Sequence, residues 1–355
     1  NEEPCADPLP GPRYTDHSAS YGETETSMQH VTMGSIGLIE RDEDWWFVST
    51  DPDGTRWWSM DGTVAGLHEV DELASRIALH DLDGDGVEDL LRYATFLEIG
   101  WSFGTEDETW DRFWESDRGC GFLEVGLADL DGDGLEDLIL PNGMECVDST
   151  NMAPAILFNQ GGRSFSDWVE VQGSPSAWGA TFDVGPIDMD LDGDLDLYFC
   201  NDHGPEIAPN QWLENDGSGT MSVVNARGSG VTSYCMTSSF GDLNGDAVMD
   251  LYTAGTGQHF ALVELGGDYV DMTTSFGFPS FEPLEMPWGS ALMDFDNDGL
   301  TDLAVTTSDF SNLPEYGRYP IWMLHQTAPG EWAEVGAEWG MPQETGSRGL
   351  IAHDV

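Results

Sequence analysis

Residues 127–140 read LADLDGDGLEDLIL, with aspartates at Asp129, Asp131, Asp133 and Asp137 and glycines at Gly132 and Gly134. Carboxylates crowded this closely repel one another unless positive charge sits among them. Hard oxygens at alternating positions suit a hard cation, and calcium takes about six to eight of them in a flexible shell. With Asp129 as position 1, side chains at positions 1, 3, 5 and 9 and the carbonyl of position 7 would supply most of that shell. Glycine at position 6 lets the backbone fold back through a left-handed conformation that is cheap only for glycine. A helix-loop-helix calcium site would carry a bidentate Glu at position 12 between two helices. Position 12 here is Leu140, and the flanks FLEVGLA and DLIL are strand-like. The loop is therefore expected to close a β-hairpin.

The stretch recurs. LHDLDGDGVEDLLRY begins at Leu79, PIDMDLDGDLDLYFC at Pro186, FGDLNGDAVMDLYTA at Phe240 and LMDFDNDGLTDLAVT at Leu292. The five candidate cation sites are Asp81, Asp83, Asp85 and Asp89; Asp129, Asp131, Asp133 and Asp137; Asp188, Asp190, Asp192 and Asp196; Asp242, Asn244, Asp246 and Asp250; and Asp294, Asp296, Asp298 and Asp302. Gly86, Gly134, Gly193 and Gly299 hold position 6 in four of them. The fourth loop departs, with Asn244 for the second Asp and Ala247 for the Gly, and is expected to be the weakest site. Successive starts are 48, 59, 54 and 52 residues apart, a spacing that fits one four-stranded propeller blade.

A second pattern recurs after the later loops. AILFNQGGRSFSDWVEV, QWLENDGSGTMSVV, ALVELGGDYVDMT and WMLHQTAPGEWAEVG each place a turn between two strand-like runs. Each unit thus reads strand, acidic loop, strand, linker, strand, turn, strand, and sustained helical periodicity is nearly absent. GSIGLIERDEDWWFVST (34–50) keeps the rhythm with a degenerate loop, and Asp354 stands where another loop should start. The expected architecture is all-β: a seven-bladed β-propeller over 31–355, its last blade cut short, after a Pro-rich tail over 1–30.

Charge narrows the partners. The chain has 67 acidic and 11 basic residues, net −56, and every basic residue is Arg. Such a molecule repels nucleic acid phosphate and anionic lipid and attracts cations. Five calcium ions would remove only about ten of those charges, so a salt-adapted or highly soluble surface is a second reading of the acidity. No apolar run is long enough for a transmembrane helix, and no leader peptide is visible. At sites of about 0.1–1 mM affinity, millimolar calcium would add on the order of 0.4–1.4 kcal/mol each. Calcium is thus read as structural. Cytosolic calcium is too scarce to fill such loops, so they argue for export.

The core D-x-D-G-D-G-x-x-D-L, at 81–90 and 129–138 with looser copies at 188–197, 242–251 and 294–303, resembles the FG-GAP (VCBS-type) repeat of integrin alpha-chain propellers and secreted bacterial proteins. The hairpin LFNQGGRSF is also typical of it. The resemblance covers residues 30–355. It implies calcium held between the two innermost strands of each blade. It also implies a role in adhesion, ligand binding or extracellular assembly, with an extracellular protein or glycan as partner. A minority of such proteins are polysaccharide-active enzymes, so a lectin or such an enzyme is the alternative. The fold alone does not choose.

Cys120 and Cys146 lie nine residues outside Asp129 and Asp137, which predicts a disulfide across one hairpin. Cys200–Cys235 is a second candidate pair, leaving Cys5 free. The tryptophans Trp45, Trp46, Trp57, Trp58, Trp101, Trp110 and Trp114 could form sugar-stacking platforms, but packing between blades is the preferred reading. His80 and His353 each precede a loop Asp and are read as structural. No nucleophile elbow, zinc-hydrolase or phosphate-loop motif occurs.

Overall fold

A computed structural model describes residues 36–41, 44–51, 54–59, 64–68, 76–85, 89–93, 99–104, 110–116, 124–142, 153–171, 178–224, 227–308, 319–341 and 350. They fall into two compact units, divided between Cys235 and Met236.

Among the described residues the first unit holds four antiparallel sheets of four strands. They are β1 to β4 (Ile36–Arg41, Asp44–Asp51, Gly54–Ser59, Val64–His68), then β5 to β8 (Arg76–His80, Asp89–Tyr93, Ile99–Gly104, Trp110–Ser116). Next come β9 to β12 (Gly126–Ala128, Asp137–Leu140, Ala155–Leu157, Val169–Glu170) and β13 to β16 (Ala180–Ile187, Asp196–Asp202, Gln211–Asn215, Met221–Val223). The second unit holds β17 to β20 (Cys235–Gly241, Asp250–Gly255, Gln258–Glu264, Tyr269–Asp271) and β21 to β24 (Met286–Met293, Asp302–Ser308, Trp322–Ala328, Glu331–Glu334). One helical turn, α1 (Gly336–Trp339), follows. Each sheet is a meander in chain order, as the repeat predicts. From β5 onward the acidic loops join its first strand to its second, and from β9 onward the Gly-containing turns join its third to its fourth.

The order of burial explains the composition. The second strands β10, β14, β18 and β22 are buried almost throughout. Their sequences after the Asp, LIL, LYFCND, LYTAG and LAVTTS, are near-continuous rather than alternating, as expected of strands covered on both faces. The fourth strands are the opposite, with both residues of β12 exposed and β24 without a buried residue. Apolar clusters join successive sheets within each unit. Leu82 and Leu91 pack with Leu138, Leu140 and Leu157; Ile139 and Ile156 pack with Leu197, Phe199 and Leu213; Leu243, Tyr252 and Val263 pack with Leu303, Val305 and Leu324. Each such side chain contributes about 1.5–3 kcal/mol on burial. Gly126 in β9 is small by necessity: a Cβ there would lie 2.9 Å from Ile139 Cδ1 and 3.2 Å from Val184 Cγ1.

Cys200 and Cys235 form a disulfide, S–S 2.04 Å. Cys5, Cys120 and Cys146 lie outside the described residues, as do Gly86, His353 and Asp354 and the side chains of the seven tryptophans named above.

Candidate metal centres

Each acidic loop is built on its own backbone. The position-1 aspartate accepts from amides three to five residues on: Asp129 Oδ1 from Gly132 N (2.8 Å) and Asp133 N (3.1 Å), and Oδ2 from Gly134 N (2.9 Å). Asp242 accepts likewise from Gly245, Asp246 and Ala247, and Asp294 from Asp298 and Gly299. These bonds require left-handed backbone at positions 4 and 6. Gly132 and Gly134 have φ of 74° and 89°, with nothing near an added Cβ, so glycine is used there for conformation rather than space. The position-6 requirement is legible from the repeat; the one at position 4 is not, because Leu191 (φ 64°) and Asn297 (φ 60°) occupy it in the third and fifth loops. Ala247 takes φ 65° at position 6 of the fourth loop.

The position-9 aspartates have a second role. Asp89, Asp137, Asp196, Asp250 and Asp302 are fully buried at the start of each second strand. One oxygen accepts from the amide of position 2: Leu82 N 2.8 Å, Leu130 N 3.0 Å, Met189 N 3.1 Å, Leu243 N 2.8 Å and Phe295 N 3.1 Å. In four sheets the other oxygen accepts from the end of the third strand or just beyond it, at Asn159, Asn215, Glu264 and Gln326 (2.8–2.9 Å). The carboxylate thus ties the loop to the third strand. Burial pushes these acids toward the neutral form against these bonds, and neighbouring aspartates add to it at Asp137, Asp196 and Asp250: Asp137 rises to about 6 and Asp250 to about 7, and Asp196 and Asp302 also rise. Asp190 and Asp296 rise from burial and from Asp192 and Asp298 beside them. A divalent cation among these groups would favour their ionised form.

The residues fit such an ion. Carboxylate oxygens of Asp81, Asp83 and Asp85; of Asp129, Asp131 and Asp137; of Asp188, Asp190 and Asp192; and of Asp294, Asp296 and Asp298 lie within 4.8 Å of one another in each set. A further set joins Asp296, Asp302 and His325, with His325 Nδ1 2.9 Å from Asp302 Oδ1. Asp89, Asp133 and Asp196 lie at their loops but outside these sets. In the fourth loop Asn244 Nδ2 donates to Asp246 Oδ2 (2.9 Å), so an amide donor occupies an oxygen that a cation would need.

Two groups escaped the sequence reading. The first is a set of amides: Asn215 ends β15, Asn159 lies two residues beyond β11 and Gln326 two residues before the end of β23. Asn159 Nδ2 donates to Leu82 O (2.7 Å) and Glu136 O (3.1 Å), and Asn215 Nδ2 to Leu130 O (2.8 Å) and Leu195 O (3.0 Å). Gln326 Nε2 donates to Asp242 O (3.3 Å) and Thr301 O (3.0 Å). Each amide therefore fastens its own loop to the loop of the preceding sheet, while its oxygen accepts from the outer turn, as Asn215 Oδ1 does from Gly217 and Gly219. The recurrent LFN, LEN and LHQ before the turn was the visible sign. His80 bridges loops similarly, with Nδ1 2.6 Å from Glu136 Oε2. The second escaped group is Arg163, whose Nε lies 2.6 Å from Asp83 Oδ2.

Comparison with known proteins agrees with this geometry. Residues 129–199 and 188–253 match the FG-GAP-like repeat. No curated protein matches the chain. Among solved structures it is similar to an Agrocybe aegerita lectin that recognises non-reducing terminal N-acetylglucosamine, at 15% identity and TM-score 0.55, over 87% of this chain and 81% of the lectin. It is also similar to BBS1N, solved in complex with ARL6DN, at 10% identity and TM-score 0.55, over 89% of this chain and 82% of that one. At these identities the likeness concerns the fold. The chain thus carries FG-GAP-like repeats over 129–253, within four-stranded meander sheets whose fold is like that of these propeller structures.

Proposed function

We propose that the chain is an exported, calcium-stabilised propeller whose surfaces bind an extracellular protein or glycan, in adhesion or in a surface assembly. Calcium is structural in this reading. The observation that carries it is the position-9 aspartate, fully buried in five loops and bonded to its own loop and, in four sheets, to the third strand as well. An ion bound there would hold a whole sheet together rather than an exposed turn. Residues 31–355 would form the propeller, with seven blades counted from the repeat starts and 1–30 as a tail. The Cys200–Cys235 disulfide suits an oxidising compartment, and no helix among the described residues is long and apolar enough to cross a membrane.

Calorimetric titration with calcium, paired with thermal unfolding in calcium and in chelator, tests this. Several sites of millimolar or better affinity and a midpoint about 5–10 °C higher in calcium are expected. No heat of binding and superimposed melts would refute it. The Asp242 loop should be the weakest of the sites.

A further inference from the structure

We propose that Arg163 is the resident cation of the first acidic loop, so that this loop is held together without calcium and binds the ion only when the guanidinium leaves. The inference rests on the calcium reading above and concerns which loops the ion can enter.

Arg163 lies in the turn between β11 and β12, and its side chain crosses to the loop between β5 and β6, 80 residues earlier. Its Nε is 2.6 Å from Asp83 Oδ2, and an Nη is 3.7 Å from Asp85 Oδ2. Asp83 and Asp85 are two of the three carboxylates gathered there with Asp81, and they hold positions 3 and 5, where the repeat places ion ligands. The Asp83 side chain is only 6% exposed, so the pair is shielded from solvent on the carboxylate side. A calcium ion and this guanidinium compete for the same oxygens.

Two further observations single out this arginine. Its backbone is left-handed, φ 66°, a conformation that favours glycine. Counting from the Asn, Gln or Glu before each outer turn, the equivalent positions are Gly219 (φ 76°), Gly330 (φ 71°) and Asp268, none of which can supply a cation. A strained arginine where two other blades use glycine calls for an offsetting contact, and the pair with Asp83 is one. The turn is also correctly placed for it. The outer turn of the last sheet similarly rests on the loop of the sheet before it, Gly330 reaching Asn244 Cα and Pro329 covering Gly245. A side chain at the arginine's position therefore meets the preceding acidic loop by construction.

The test compares wild type with Arg163→Gly, which restores the residue other blades use at that backbone conformation and should fold. Calcium titration should show one site tightened by about five- to ten-fold, the scale of losing one competing ion pair. Adding Asp83→Asn should abolish that gain. In chelator the variant should melt below wild type, and in calcium the gap should close. If wild type binds calcium and Arg163→Gly leaves every affinity and both melts unchanged, the proposal falls while the calcium reading stands. If neither protein binds calcium, both fall.

Discussion

At the scale of single residues, the acidic loops combine a shared backbone demand with unequal means of meeting it. Ala247 sits at φ 65°, at the position that is glycine in the other four loops. Ala247→Gly should therefore stabilise the chain by about 0.5–1 kcal/mol, after the glycine's greater unfolded-state entropy is set against the relieved strain. A urea midpoint that falls in the variant would contradict this. His259 makes a separate prediction. It is buried, its Nε2 lies 2.8 Å from the Pro279 carbonyl and its Nδ1 3.0 Å from Tyr252 Oη. A carbonyl only accepts, so Nε2 carries the proton and Nδ1 accepts from the tyrosine. Burial holds this imidazole down to about 4. Its folded value lies below the unfolded value, so the stability it confers is present above about pH 6.5 and is lost as pH falls toward 4. The loss is at most about 3 kcal/mol. Raised carboxylates such as Asp137 act in the opposite sense over the same range. The comparison must therefore be with His259→Gln, which should lose less stability than wild type between pH 7 and pH 4.5. Equal losses would exclude His259 as the cause.

At the scale of elements, the repeated unit is a sheet held at one end by an aspartate and fastened to its neighbour by an amide. Asn215 donates to two carbonyls, one of them Leu130 O in the preceding loop. Asn215→Ala leaves these buried acceptors and the turn amides without their partner, and should cost about 2–4 kcal/mol. Asn215→Asp separates the roles, since a carboxylate keeps the bonds from the turn but cannot donate to Leu130 O. Glu264 shows that condition naturally: it accepts from Gly267 N in its turn and, when ionised, has no donor. If both Asn215 variants matched wild type in chemical unfolding, the amide would be no fastener. The acidic loops, their flanking strands and the outer turns were legible in the sequence because each is a local pattern repeated in phase. The amide contacts were not, since Asn215 and Leu130 are 85 residues apart and only the stacking of one sheet on the next brings them together.

At the scale of the whole molecule, one described disulfide and the net charge act beyond single sheets. The Cys200–Cys235 bridge closes a loop of 35 residues, and replacing both cysteines with alanine should cost about 3–4 kcal/mol through the freedom returned to the unfolded chain. Calorimetry of the double variant, compared with the reduced wild type, should give matching midpoints. A net charge of −56 also means that self-repulsion opposes compaction. Sodium chloride should therefore raise the midpoint of the chelated protein, and much of that effect should persist once calcium is bound, since five ions remove only about ten of the charges. A midpoint indifferent to salt in chelator would show that the acidic surface is already balanced internally.

The sequence by itself determined the all-β class, the four-stranded unit and the positions of the acidic loops. Strand alternation, turn chemistry and aspartate spacing act within a few residues of one another, and five copies make the pattern unambiguous. Only the tertiary structure decided which loop carries its own cation. Arg163 and Asp83 belong to different sheets, and an ion pair across 80 residues is written in packing rather than in spacing. The same holds for Asp137 and its counterparts. As sequence they are one more acid in an acidic loop; in the folded chain they are buried carboxylates that join three segments of a sheet.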